Sequence, residues 1–172
     1  VFNKQGTITA GNASTLNDGG SAVLVADENF AIEQGWPILA RIIDQYTSGV
    51  EPARVMYAPI PAIRALLKRN KLGVEDVDVY EHNEAFAAAS CAIAKACNIP
   101  DEKFNPHGGA VAIGHPLGAT GARCLMTLIN ALQRTGGGKG IVTLCLGGGN
   151  AVAMLVQQLH APVQADVRNA TK

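Results

Sequence analysis

Residues 141–156, I-V-T-L-C-L-G-G-G-N-A-V-A-M-L-V, decide the fold of this chain. Two short apolar runs, 141–146 and 151–156, flank the tetrapeptide Gly147-Gly148-Gly149-Asn150. A link of this length and composition is typical of a β-hairpin. We therefore expect two antiparallel strands at this end of the chain.

Upstream of the hairpin, apolar periodicity predicts strands that alternate with helices. Three further strands are expected, at residues 19–27, 38–46 and 77–81. Three helices are expected, at residues 59–70, from about 83 to just before Pro100, and at 117–133. Helices that alternate with strands before a closing antiparallel pair predict an α/β domain whose mixed β-sheet is layered between helices.

The composition excludes several classes of protein. With 172 residues and 48% hydrophobic content, the chain can build the core of one ordinary domain. Its 14 basic and 14 acidic side chains cancel, so we expect no nucleic-acid partner. We expect no membrane partner either, because no apolar run approaches the ~20 residues of a bilayer span. The chain starts V-F-N-K without Met or a leader, so we expect a piece of a longer chain or a processed one, and residues after 159 should form a frayed terminus.

The four cysteines form no C-x-x-C pair, so neither a disulfide framework nor a zinc site is expected. Three of them, Cys91, Cys97 and Cys124, fit small buried residues on helices in a protein of a reducing compartment. No H-E-x-x-H motif is present, and we expect no catalytic metal. The G-G-G-K-G run at 136–140 lacks the ending of a phosphate loop, which argues against nucleotide binding.

Three polar or reactive residues stand at ends of predicted elements: Asn83, His115 and Cys145. Each has a simple structural interpretation, because Asn83 fits a helix N-cap, His115 a turn before proline, and Cys145 a core thiol. Together they resemble the parts of an acyl-transfer site, in which an imidazole takes a thiol proton and glycine N–H groups bind the oxyanion. Gly147 and Gly148 leave the backbone beside Cys145 open to a carbonyl group.

Four motifs, in the right order over nearly the whole chain, resemble signatures of the thiolase family. They are T-A-G-N-A-S at 9–14 with N-D-G at 17–19, N-E-A-F at 83–86, the G-G…G-H-P…R motif within 105–123, and C-L-G-G-G at 145–149. The resemblance covers only the C-terminal portion of the family. It implies a thiolase-like fold, in which residues 1–33 end the loop region and complete the N-terminal half, and residues 34–172 form the C-terminal domain.

The resemblance also implies roles for individual residues. Asn83 would hold a water that forms an oxyanion hole with His115, and His115 would also activate the nucleophilic cysteine. Cys145 would be the acid/base that moves a proton to or from the substrate α-carbon or the CoA thiol. The Gly147 N–H would belong to a second oxyanion hole.

For the substrate, the resemblance implies acyl-CoA and CoA, with no covalently bound cofactor and no metal. Ala10 and Ser14 match residues that line the path of the CoA pantetheine. The nucleophilic cysteine of the family lies far upstream, and no cysteine precedes Cys91 in this sequence. His82 stands where many relatives have a small or apolar residue, so the acyl-chain preference does not follow from the resemblance.

The expected activity is cleavage of 3-oxoacyl-CoA by CoA, or condensation of two acyl-CoA molecules such as acetyl-CoA, once a thiolase N-terminal half is present. The isolated chain should be inactive. One alternative is a noncatalytic CoA-binding or assembly subunit, and another is a self-contained acyl hydrolase using Cys145 and His115. The family further implies a homo-oligomer, dimer or tetramer, in the cytoplasm, or in mitochondria or peroxisomes of a eukaryote.

Overall fold

The computed structural model of the chain describes residues 3–159, so the expected frayed terminus lies outside the described residues. Four strands form one mixed sheet in the order β1-β4-β3-β2. They are β1 (Ala40–Gly49), β2 (Val79–His82), β3 (Gly138–Cys145) and β4 (Asn150–Gln158). β3 and β4 form the predicted antiparallel hairpin, β1 pairs antiparallel with β4, and β2 pairs parallel with β3.

Five α-helices are present in the described range: α1 (Glu28–Glu33), α2 (Pro59–Arg69), α3 (Ala87–Cys97), α4 (Ala110–Ile113) and α5 (Thr120–Arg134). Short 3₁₀ helices cover Pro52–Tyr57 and Asp101–Lys103. The predicted helices correspond to α2, α3 and α5. The others, with 6 and 4 residues, are too short for a helical period to appear in the sequence. None of the helices within residues 3–159 combines the length and apolarity needed to cross a membrane.

Two apolar clusters on opposite faces of the sheet hold the fold together. On one face α2 and α3 cover residues that include Tyr80, Ile141 and Leu155. On the other face α5 covers Val79, Val142 and Val156. Consecutive strand residues contribute to opposite clusters because side chains alternate across a pleated sheet. The expected mixed sheet layered between helices is therefore confirmed.

The strand expected at residues 19–27 is wrong. This segment has no regular structure up to the start of α1, and Leu24 and Val25 are 79% and 67% exposed. The segment is attached to the domain by the Ser21 hydroxyl, which donates to the Ala119 carbonyl at 2.6 Å. The apolar pattern suits a strand, but a strand also needs a neighbour for its backbone hydrogen bonds. No strand within residues 3–159 lies along this segment.

A second correction concerns Cys91, which is exposed, whereas Cys97 and Cys124 are buried as expected. The buried face of α3 runs through Ala89, Ile93 and Cys97, at four-residue spacing. Cys91 falls midway between the first two, and a 3.6-residue period turns it to the opposite side.

Candidate active site

Asn83 directly continues β2, and its backbone is held from both sides. Its N–H donates to the Thr143 carbonyl of β3 at 3.1 Å, and its carbonyl accepts from the Ala110 N–H of α4 at 2.8 Å. Its exposed fraction is 1%. The N-cap interpretation of Asn83 is wrong, because α3 starts only at Ala87, with Phe86 at the cap position.

The chain between Asn83 and α3 is kept out of the helix by local constraints. Glu84 adopts a left-handed φ of 60°. Phe86 forms an antiparallel bridge with Ala13. Glu84 thus turns the chain after the strand, Phe86 is extended against the N-terminal segment, and the Asn83 side chain has no capping role.

Two glycines of the long motif allow α4 to approach this strand end. A Cβ at Gly109 would lie 2.5 Å from the Glu84 Cβ and 3.1 Å from the Asn83 carbonyl oxygen. Gly114 has a φ of +90°, and a Cβ there would collide with the Asn17 side chain. Close packing thus requires glycine at position 109, and close packing together with a positive φ requires it at position 114.

The structure brings Asn83 and His115 together, although they are 32 residues apart in the chain. The Asn83 Nδ2 lies 3.3 Å from the His115 Nε2. The other ring nitrogen, Nδ1, lies 2.7 Å from the Thr120 hydroxyl oxygen. The His115 backbone N–H donates to the Thr15 carbonyl at 2.9 Å, which fixes the loop against the N-terminal segment.

The contact with Asn83 defines the proton on the His115 ring. Since the Asn83 Nδ2 faces Nε2 and can only donate, the ring proton lies on Nδ1, which donates to the Thr120 hydroxyl oxygen at 2.7 Å, and that hydroxyl in turn donates to the Pro116 carbonyl at 3.0 Å. In the neutral ring Nε2 then carries the lone pair. Burial, followed by the charge of Arg123, lowers the pKa of His115 below its usual value. The ring is therefore neutral near pH 7, with Nε2 ready to accept a proton.

Arg123 and Glu81 are polar residues of the site to which the sequence had assigned no role. Arg123 Nη2 donates to Asn83 Oδ1 at 2.7 Å, and its Nη1 lies 3.4 Å from the Glu81 Oε1. Glu81 is fully buried on β2, and burial raises its pKa to about 8, more than the Arg123 charge lowers it. Two features of the sequence could have indicated these residues: Arg123 ends the long motif, and Glu81 is an acid within an otherwise apolar strand.

Cys145 ends β3, where it pairs with Ala151 of β4. Burial raises the pKa of its thiol, and the backbone N–H groups of Cys145 and Gly147 lower it in part. Gly147 has a φ of +74°, which glycine adopts without strain.

Cys145 belongs to the same edge of the sheet as Asn83, since Asn83 bonds to Thr143, two residues before the cysteine. No hydrogen bond joins Cys145 to His115 or Asn83 in the described part of the chain. The direct Cys-His pair of a self-contained hydrolase is thus not formed.

The two residues expected to line the CoA path differ in their placement. The Ser14 N–H donates to the Ala85 carbonyl at 2.9 Å, which brings this residue beside the strand end that carries Asn83. Ala10 lies in an exposed turn, four residues earlier. The segment from Asn12 to Thr15 therefore borders the site, and Ala10 lies at the surface just before it.

His82 faces away from this site. Its Nδ1 lies 2.8 Å from the Ser90 hydroxyl of α3, and its ring stacks on Phe104 with centroids 6.2 Å apart. Burial lowers its pKa to about 4, so the ring is neutral at physiological pH. These contacts belong to the layer between the sheet and α3, and they make His82 a packing residue.

The site therefore offers a neutral imidazole base, an amide N–H donor beside it, and a thiol flanked by backbone N–H groups. This set suits acyl transfer and proton transfer at carbon. Within residues 3–159, no three His, Cys, Asp or Glu side chains cluster so that they could hold a metal ion.

Comparison with known proteins gives consistent matches. Residues 36–158 match the family model of the thiolase C-terminal domain, and residues 1–29 match that of the thiolase N-terminal domain. The chain is 49% identical over 159 residues to an acetyl-CoA acetyltransferase of Rhizobium meliloti (strain 1021), covering 92% of this chain and 40% of that protein. It is 48% identical over 153 residues to the cytosolic acetyl-CoA acetyltransferase of Mus musculus, covering 89% of this chain and 38% of the relative.

Among solved structures, the human mitochondrial 3-ketoacyl-CoA thiolase in complex with CoA superposes with a TM-score of 0.85 at 39% identity. The match covers 92% of this chain and 40% of the human chain. The expected fold is thereby confirmed. The chain spans about two fifths of the length of these relatives.

Proposed function

Because the chain belongs to the thiolase family, we propose that it is the C-terminal part of a thiolase that works together with a thiolase N-terminal half. Its reaction is acyl transfer, either cleavage of 3-oxoacyl-CoA by CoA or condensation of two acyl-CoA molecules, as in acetoacetyl-CoA formation. In this proposal residues 1–33 complete the N-terminal half and residues 34–172 form the C-terminal domain. The ranges of the two family matches, 1–29 and 36–158, support that division.

The observation that carries the proposal is the contact of Asn83 Nδ2 with the unprotonated Nε2 of His115. A nucleophilic thiol placed near Nε2 loses its proton to it: the S–H bond breaks, an N–H bond forms, and a thiolate remains for attack on the thioester carbonyl. The protonated Nε2 is then a donor. Together with the Asn83 amide, or a water held by it, Nε2–H stabilises the developing oxyanion or enolate oxygen.

Cys145 completes the proton transfers. Since burial raises its pKa, the thiol is protonated at neutral pH and can deliver a proton. In cleavage, that proton goes to the α-carbon of the departing enolate, and the resulting thiolate takes a proton from the incoming CoA thiol. The nearby N–H groups of Cys145 and Gly147 lower the cost of the thiolate stage. In our proposal the Gly147 N–H also serves a second oxyanion hole.

The substrates in this proposal are acyl-CoA and CoA, with Ala10 and Ser14 along the pantetheine path. The human relative crystallised with CoA supports this assignment. We further propose a homo-oligomer, either a dimer or a tetramer. The mouse relative, which is named cytosolic, supports a cytoplasmic location, with mitochondria or peroxisomes as the eukaryotic alternatives.

The test supplies the missing half. The chain is fused to the part of the Rhizobium meliloti relative that precedes the matched region, so that residues 1–33 complete the N-terminal half, and CoA-dependent cleavage of acetoacetyl-CoA is followed. We expect turnover by the fusion, loss of turnover in its His115→Asn variant, and none by the 172-residue chain alone. CoA-independent release of the CoA thiol from an acyl-CoA by the chain alone would support the self-contained hydrolase. A fusion that binds CoA in calorimetry without any turnover would instead support the noncatalytic subunit.

A further inference from the structure

The amide of Asn83 has only one orientation that satisfies its neighbours. Arg123 Nη2 lies 2.7 Å from the amide oxygen, and a guanidinium group has donors but no acceptor. The oxygen must therefore face Arg123, which leaves the amide nitrogen facing His115 Nε2 at 3.3 Å. Because that nitrogen can only donate, Nε2 must carry a lone pair.

The opposite side of the ring is compatible with the same protonation. There the Thr120 hydroxyl donates to the Pro116 carbonyl at 3.0 Å and accepts from His115 Nδ1–H at 2.7 Å. The Arg123–Asn83 chain requires the Nδ1–H tautomer, and in that tautomer the Thr120 contacts are also satisfied. Reversing the Asn83 amide would turn its oxygen toward Nε2 and favour the other tautomer, in which Nε2 is protonated and unable to accept a proton.

We propose that Arg123 is a positioning residue, which holds the Asn83 amide in this orientation and thereby keeps His115 Nε2 unprotonated. The purpose of this arrangement rests on the proposed function, in which Nε2 accepts a thiol proton. The tautomer itself can be measured without any turnover.

The distances indicate that the main partner of the Arg123 guanidinium is the Asn83 amide and not the Glu81 carboxyl group. The contact to Asn83 is short, as expected of a charge-assisted hydrogen bond, whereas the 3.4 Å to Glu81 Oε1 is beyond the usual range. Arg123 is also restrained, because its side chain is only 15% exposed and its backbone is part of α5. Its donors thus reach Asn83 from a rigid element.

The experiment is ¹⁵N NMR of the histidine rings in the 172-residue chain, which distinguishes protonated from unprotonated ring nitrogens. His115 is assigned by its loss in a His115→Asn variant. Arg123→Gln is the main variant, since a glutamine amide both donates and accepts and no longer selects one face of Asn83. Arg123→Lys keeps a donor-only group and should rescue the wild-type tautomer. Arg134→Gln, an exposed position on the same helix, is the matched control.

We expect the Nδ1–H tautomer to dominate in the wild type, in Arg123→Lys and in Arg134→Gln. In Arg123→Gln the ratio of the Nδ1–H to the Nε2–H tautomer should fall by about fivefold, which corresponds to the net free energy of one hydrogen bond. If Arg123→Gln does not fold, the double variant Glu81→Gln/Arg123→Gln, which removes the unpaired buried acid, should show the same fall.

An unchanged ratio in the folded Arg123→Gln or double variant would overturn the proposal, as would a wild-type ring protonated at Nε2. If the chain shows the expected tautomers but the fusion shows no thiolase turnover, the proposed function is refuted and the positioning role of Arg123 is still supported.

Discussion

Replacing Thr120 by valine tests the hydrogen-bond chain that orients His115. Valine has nearly the same shape as threonine but removes the hydroxyl, so His115 Nδ1–H loses its acceptor and the Pro116 carbonyl loses its donor. Thr127 is a matched control on the same helix. Its hydroxyl also donates to the carbonyl four residues earlier, that of Arg123, at 3.1 Å, but it has no histidine partner.

The magnitude follows from the difference between the two substitutions. Both remove one hydroxyl-to-carbonyl bond, and only Thr120→Val leaves a ring N–H without a partner. Such an orphaned donor costs about 1–3 kcal/mol when buried. Because His115 is only partly buried, we expect the lower part of that range, about 1–2 kcal/mol. For a chain of this size the corresponding difference in Tm is about 2–8 °C.

The assay is urea and thermal unfolding of the two variants and the wild type, followed by circular dichroism. Thr120→Val should be less stable than Thr127→Val by the stated amount, with equal m-values. Equal losses in the two variants would refute the reasoning, since they would show that the His115 contact contributes nothing beyond the ordinary backbone bond.

Three further predictions concern the fusion enzyme and the buried acid. Asn83→Asp should lower kcat of the folded fusion enzyme by about 10²-fold, because an ionised Asp cannot donate to an oxyanion; normal turnover would remove Asn83 from the mechanism. Cys145→Ser should allow acyl-enzyme formation, detected by mass spectrometry, but reduce turnover by more than about tenfold, and a smaller loss would contradict the acid/base role. The raised pKa of Glu81 means that the folded state holds a proton which the unfolded state releases between pH 4.5 and about 8. Stability should therefore fall as pH rises through this window. The lowered pKa of His82 has the opposite effect on stability, but only below pH 6.5. The loss of stability with rising pH should therefore be clear between pH 6.5 and 8 in the wild type and absent in Glu81→Gln. Parallel pH profiles of the wild type and that variant would contradict the burial argument.

Much of the fold followed from patterns that lie within a few residues of one another. The G-G-G-N link between two apolar runs predicted the β3–β4 hairpin, and proline at the start with basic residues at the end predicted α2. These signals are local, since hairpin turns and helix ends are stabilised by neighbours in sequence. The short α1 and α4 carried no such signal, because four to six residues do not complete two helical turns.

The exposed segment 19–27 shows where local patterns fail. Its apolar residues have the propensity for a strand, but strand formation depends on a partner backbone that local sequence does not specify. Asn83 shows the same limit at the site. As a residue before a helix it resembled a cap, and only the left-handed turn at Glu84 and the bridge of Phe86 to Ala13 show that the helix begins later.

By itself the sequence determined the identity of the reactive groups and the elements that carry them: His115 in a glycine-bounded loop, Asn83 after a buried strand, and Cys145 before three glycines. The tertiary structure decided which of these groups touch. The parallel pairing of β2 with β3 and the packing of α5 on that face bring Arg123, Asn83 and His115 into one hydrogen-bond chain. The protonation of His115 depends on that chain, because a ring tautomer is set by the donors and acceptors around it, and these come from residues distant in sequence.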